Sequence, residues 1–240
     1  LSSINMWLAI ILLCALFIVG PTMYIINMFV TTIGNYINNF IQMSFELKPI
    51  NEGQREWIND WTIFYWAWWI SWAPFVGMFI ARVSKGRTIK QFIIGVLIAP
   101  TLVTFIFFAV FGGSALNLEQ HGIAKLSKLA TETVTFGMFE YYPIGMILSF
   151  LTIIVIAIFF ITSADSATFV LGMFSTGGQL NPSNFVKIIW GLILSAMAAI
   201  VMYSGGLDGF QNMLIIAALP FSIILILMVI SFYKTIKRTE

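Results

Sequence analysis

The chain has 240 residues, 60% of them apolar and only 9% charged, with a formal net charge of +2. An ordinary soluble domain carries about 25% charged residues, so this composition excludes a water-covered surface and makes lipid the solvent. With Cys14 the one cysteine and His121 the one histidine, a disulfide framework and most metal or Cys/His catalytic clusters are excluded, and no basic stripe points to nucleic acid.

The chain starts at Leu1 and runs almost at once into an apolar segment without the basic front of a signal peptide. That start reads as internal, making the chain a piece of a longer protein. Six segments are long enough for a hydrocarbon core of about 30 Å. They are Met6–Val30, Trp61–Ala81, Gln91–Phe111, Pro143–Ala167, Phe185–Tyr203 and Met213–Tyr233. Backbone groups in lipid must find partners within their own segment, so each is predicted to be helical.

Between the first two segments, Ile33, Tyr36, Ile37, Phe40 and Ile41 fall on one helical face, with Asn35, Asn38, Asn39 and Gln42 on the other. This predicts an amphipathic helix over 32–45, lying along the outer membrane interface or else continuing span one as a frayed end. The loop 112–142 has mixed charge and is expected to be partly helical. Asn181-Pro182 reads as a cap and first-turn proline opening the fifth span. Arg82, Lys85, Arg87, Lys90, Lys187, Lys234, Lys237 and Arg238 fall on one side of the membrane, against Lys48, Arg55, Lys125 and Lys128 on the other. The positive-inside rule then makes the first group, and both chain ends, cytoplasmic.

Six of the eight tryptophans crowd into residues 57–72. An interfacial aromatic belt explains Trp57 and Trp61, but Trp72 lies about 22 Å further along a helix than Trp57. Trp61, Tyr65, Trp68, Trp72, Phe75 and Phe79 form one narrow stripe at helical spacing, flanked by Trp69. Spacing alone admits a packing stripe or a cage for a quaternary ammonium group, which offers no N–H and is held by ring faces. Pro74 breaks the same helix and removes the N–H that would bond the carbonyl of Ile70, as either a plain kink or a mid-membrane ligand site.

The fourth span carries Thr162, Ser163, Asp165 and Ser166. The hydroxyls fit either back-bonding within the helix or ligation of a hard cation. Asp165, a charged residue in a span, lies about 33 Å along the helix from Pro143. It reads as a structural partner of Arg82 or Arg87 ahead of a proton relay.

The run Trp61–Trp72, continuing through Pro74-Phe75-Val76-Gly77 to Ala81–Thr88, closely resembles the signature of betaine/choline/carnitine transporters. Thr162–Ser166 resembles a second motif of that family, and the remaining spans match in order and length. The resemblance implies an all-α membrane protein, part of a twelve-helix fold of two inverted five-helix repeats like the leucine transporter's. Residues 1–30 would be the last helix of the first repeat, 31–56 an outer amphipathic linking helix and loop near a trimer contact, and 57–240 the second repeat. It also implies that Trp68, Trp69, Trp72 and Phe75 line the substrate path. A sodium site would be formed by Thr162, Ser163 and the carbonyl of Phe159.

The function so implied is a secondary transporter, not an enzyme. It would import a trimethylammonium osmolyte such as glycine betaine for osmoprotection, with sodium as coupling ion and no other cofactor. The expected setting is a multi-pass homotrimer in the cell membrane. The alternatives are a proton-coupled choline or carnitine carrier and, from another class, a membrane receptor or channel with an aromatic cation cage.

Overall fold

The computed structural model describes residues 1–47, 52–204 and 206–239, without the side chains of Glu52, Arg82, Leu207, Asp208, Ile236, Arg238 and Thr239. Every regular element among the described residues is helical: α1 Ser2–Val19, α2 Thr22–Ser44, α3 Glu52–Trp57, α4 Phe64–Val83, α5 Ile89–Gln120, α6 Val134–Phe139, α7 Gly145–Ser175, α8 Asn184–Ser204 and α9 Gly206–Thr239. A π-helical turn, Ile58–Ile63, joins α3 to α4, and a 3₁₀ turn spans Leu126–Lys128. Six segments are long and apolar enough to cross a membrane: α1, Gly53–Ala81, α5, α7, α8 and Gly209–Thr235. The expected number of spans holds.

The chain divides into two compact units, one of Leu1–Ser44 with Arg87–Ala164 and one of Phe45–Gly86 with Asp165–Glu240. In the first unit the expected continuous span Met6–Val30 is interrupted. Gly20 is extended (φ −78°, ψ −174°) and ends α1, and Pro21 has no N–H with which to continue the ladder. Thr22 Oγ1 donates to the carbonyl of Phe17 at 2.8 Å, satisfying one orphaned acceptor. A side chain at position 20 would meet the Leu16 carbonyl oxygen at 2.6 Å and Ser114 Oγ at 3.1 Å, so only glycine fits this crossing.

The amphipathic pattern of 32–45 is realised within α2, but the helix does not lie across the end of the bundle. Tyr24 Oη donates to Gln120 Oε1 at 2.7 Å, and Tyr36 meets Phe105 edge to face at 5.7 Å. Phe105 lies about 22 Å down α5 from Gln120, so α2 descends antiparallel to α5. Of the apolar ridge, Tyr36 finds an aromatic partner there, while Ile37, Phe40 and Ile41 stay exposed.

The core of this unit unites Leu12 and Leu16 of α1, Ile25 of α2, Val110 and Leu118 of α5 and Leu148 of α7 with Ala124, Leu126, Met138 and Phe139 from the loop between α5 and α7. That loop is partly helical, as expected, with the 3₁₀ turn and α6 within it. Tyr142 Oη donates to the carbonyl of Ser114 at 3.1 Å, and burial pushes its phenol above the ordinary value. Thr88 opens α5 with a reciprocal capping box: its Oγ1 accepts from Gln91 N–H at 3.3 Å and Gln91 Oε1 accepts from Thr88 N–H at 3.2 Å.

In the second unit α4 packs along α9, and α9 along α8. The buried side of α4 carries Phe64 and Ala67, and that of α9 carries Ala218. The last turns of α7 reverse into α8 through Gly177 and Gly178, both with positive φ (66° and 88°). Pro182 packs on Gly172, where a Cβ would approach to 3.0 Å, and Trp190 Nε1 donates to Ser175 Oγ at 3.0 Å. The cap of α8 is Ser183, whose Oγ accepts from Val186 N–H at 3.4 Å, not the expected Asn181. Pro182 is taken up by its contact with Gly172, which moves the helix start two residues on.

Candidate functional site

The aromatic stripe stands on α4 and, at Trp61, on the π-helical turn before it, and the packing of α4 decides which rings are free. Its contact side is occupied by Phe64 and Ala67, leaving the neighbouring stripe open. Trp68 is 37% exposed, Trp72 53% and Trp69 75%. Phe75 is half-buried. The stripe forms two ring groups. In the first, Trp61 stacks on Tyr65 (6.1 Å between centroids, 10° between planes), and Trp68 leans on Tyr65 at 5.6 Å and on Phe64 at 5.8 Å. In the second, Trp72 stacks on Phe75 at 6.2 Å with 8° between planes.

Pro74 sits between the two members of the second group. It leaves the Ile70 carbonyl without its helical donor. Ser71 Oγ donates to the carbonyl of Trp68 at 2.9 Å, which keeps the hydroxyl off the ring face. Trp72 and Phe75 thus present parallel ring faces on one side of α4, a candidate wall for an aromatic site. One helix presents one wall; a closed box needs rings from another element. Trp69 stands on the flank with none of the ring contacts that its neighbours make among the described residues. Phe64, absent from the predicted stripe, proves to be the buried ring on which Trp68 and Tyr65 rest. Its i, i+4 relation to Trp68 was the available signal.

The oxygen cluster lies on α7. Thr162 Oγ1 is 3.0 Å from the carbonyl oxygen of Ile158 and 3.0 Å from that of Phe159. A hydroxyl that donates its proton to Ile158 still directs two lone pairs elsewhere. Two oxygens 3.0 Å apart also suit one hard cation with ligand distances of roughly 2.3–2.6 Å. The back-bond and ligation are therefore compatible. Ser163 is exposed one position on, and its hydroxyl is the adjacent candidate ligand. Thr162 and the Phe159 carbonyl are thus brought together. Asp165 is exposed and its carbonyl accepts from Thr168 Oγ1 at 2.9 Å. The Arg82 half of its expected pairing lies outside the described side chains.

Among the described residues no cluster of three His, Cys, Asp or Glu side chains is placed to hold a metal. A site here for a hard ion rests on hydroxyl and carbonyl oxygens.

A family model described as the betaine/carnitine/choline family transporter matches residues 1–240. The glycine betaine transporter OpuD of Bacillus subtilis is 57% identical over 99% of this chain and 46% of its own length. The ectoine/hydroxyectoine transporter of Virgibacillus pantothenticus is 42% identical over 100% of this chain and 48% of its own. The betaine/ectoine transporter LcoP of Corynebacterium glutamicum is 38% identical over 98% and 38%. The chain therefore spans about half the length of these relatives, or less.

Proposed function

The chain belongs to the betaine/carnitine/choline family of transporters, and from that premise we propose that it forms part of a secondary transporter importing glycine betaine, coupled to sodium, for osmoprotection. The observation that carries this reading is Trp72 stacked on Phe75 in a membrane span whose helix runs unbroken through Pro74, where the sequence predicted a break. A trimethylammonium group offers no hydrogen-bond donor, and ring faces attract it through their quadrupoles. Trp68 and Trp69 continue the wall along the substrate path. Identity of 57% to a protein named a glycine betaine transporter supports the choice of substrate. Sodium is assigned to Thr162 Oγ1, Ser163 Oγ and the Phe159 carbonyl. The protein is multi-pass in the cell membrane, with both ends of this chain cytoplasmic by its Lys/Arg distribution, and it works as a homotrimer.

A second reading is an ectoine-type solute, favoured by the names of two relatives at 42% and 38% identity. Uptake of radiolabelled betaine by the full-length protein, with sodium chloride or with potassium chloride replacing it, tests the proposal. Saturable, sodium-dependent uptake is expected, with excess ectoine a weak competitor. Stronger competition by ectoine than by unlabelled betaine would transfer the assignment to the second reading, and sodium-independent uptake would remove the ion.

A further inference from the structure

The core of the first unit also takes in residues from outside the membrane spans. They come from the polar segment between α5 and α7, whose Leu126, Met138 and Phe139 are 5%, 2% and 0% exposed. At its start, the N–H groups of Ile123 and Ala124 both bond back to the carbonyl of Leu118, at 2.9 and 3.3 Å. Gly122 makes this reversal possible with φ of 68°. The chain then enters the 3₁₀ turn Leu126–Lys128, whose N-cap, Lys125, makes no side-chain cap bond.

The missing acceptor is supplied by Glu119, from the last turn of α5. Its Oε2 accepts from the N–H of Leu126 and from that of Ser127 at 3.3 Å, and its Oε1 accepts from Ser127 Oγ at 2.7 Å. One carboxylate thus takes three hydrogen bonds from two consecutive residues, and hydrogen bonds to an ionised acceptor are the strong ones. The far end is tied as well, by Tyr142 Oη to the Ser114 carbonyl at 3.1 Å. In between, Gly137 is pressed on Leu129 so closely that a Cβ would lie 2.4 Å from its Cδ1. Both tethers land on α5, and the apolar residues between them share one core with α1 and α2.

We propose that residues 121–142 form a fixed cap, locked to the end of α5 by Glu119, which moves with α1, α2 and α5 as one body and does not swing as a lid. A lid must release its contacts in every cycle. Here that means breaking the carboxylate clasp and the tyrosine tether and drawing Leu126 and Phe139 out of a core together.

Hydrogen exchange on the full-length protein in nanodiscs tests the clasp and does not depend on the transport reading. The amides of 121–130 should be protected in the parent and exchange at least tenfold faster in Glu119→Gln, with the membrane helices unchanged. Unchanged protection in that variant, or no protection in the parent, would overturn the role of Glu119. Fixedness is tested in a Cys14→Ser background carrying Glu119→Cys and Ser127→Cys, bridged by a short bifunctional thiosulfonate. This readout rests on the proposed transport activity and is compared with the unbridged protein. Uptake within about twofold of the unbridged protein is expected. Loss of uptake on bridging, restored by reductant, would show that the segment opens and would refute the fixed cap.

Discussion

Replacing Trp72 with leucine tests the aromatic wall most directly, because the structure separates two effects of the change. The stack on Phe75, 6.2 Å between centroids, exists without any ligand. Such a pair contributes about 0.5–1.5 kcal/mol beyond burial, and its loss affects the free and loaded protein alike, so it cancels from affinity. Trp72 is 53% exposed in this chain, and the proposed site sets a bound cation against that ring. A ring face over a cation is worth about 0.5–2 kcal/mol. Since about 1.4 kcal/mol is a factor of ten, Trp72→Leu should weaken betaine binding by up to roughly thirtyfold. Trp72→Tyr keeps a weaker quadrupole and should fall between the two. Trp61→Leu, in the other ring group, should change affinity by less than about threefold. Equilibrium binding of radiolabelled betaine to purified full-length protein, normalised to folded protein, reads all three. If Trp72→Leu binds betaine as tightly as the parent, the rings of α4 are packing and the reasoning fails.

Thr162→Ala combined with Ser163→Ala should raise the sodium concentration for half-maximal uptake by at least about tenfold, while sodium titrations that match the parent would clear both hydroxyls of a role. Cysteine at Ser84 should react with an impermeant thiol reagent from the cytoplasmic side and cysteine at Lys128 from outside, in a Cys14→Ser background; the reverse pattern would invert the topology. The raised phenol of Tyr142 carries an alkaline signature. Its folded form holds the proton above the ordinary pKa of 10.0, so its stabilising contribution is complete below pH 10 and is lost as pH rises through the raised value. Tyr142→Phe should remove that part of the alkaline loss in thermal unfolding scans, and an unchanged alkaline slope would show that the phenol does not titrate with the fold.

The number of spans was legible because hydropathy is a local property, and the ring stripe because a helix imposes its own period. What escaped the sequence depends on contacts across the fold. In the mainly apolar run 6–30 the Gly20-Pro21 pair was a helix-stop signal that the hydropathy of the run masked, and the close crossing with Ser114 was not visible at all. The placement of α2 turned on Tyr36 finding Phe105, two aromatic residues far apart in the chain. The division of the stripe into two ring groups follows from χ angles that spacing does not contain. Glu119 read as one charge in a mixed loop, since its partners at 126 and 127 approach only after the chain has reversed at Gly122. At Thr162 the back-bonding that the sequence allowed is realised, and ligation of a cation stays a proposal.

The two units interleave along the chain, and this orders their synthesis. Unit one takes Leu1–Ser44 and then waits for Arg87–Ala164; unit two takes Phe45–Gly86 and waits for Asp165–Glu240. Helix α4 ends at Val83 and its packing partner α9 begins at Gly206, so the 122 residues 84–205 are made in between. At about 5–20 residues per second, that is roughly 6–25 seconds of translation. For that interval the tryptophan-rich helix must reside in or beside the insertion machinery without its native neighbour. A nascent chain halted near residue 200 should therefore hold α4 in a state that the insertion machinery, rather than α9, keeps from aggregating.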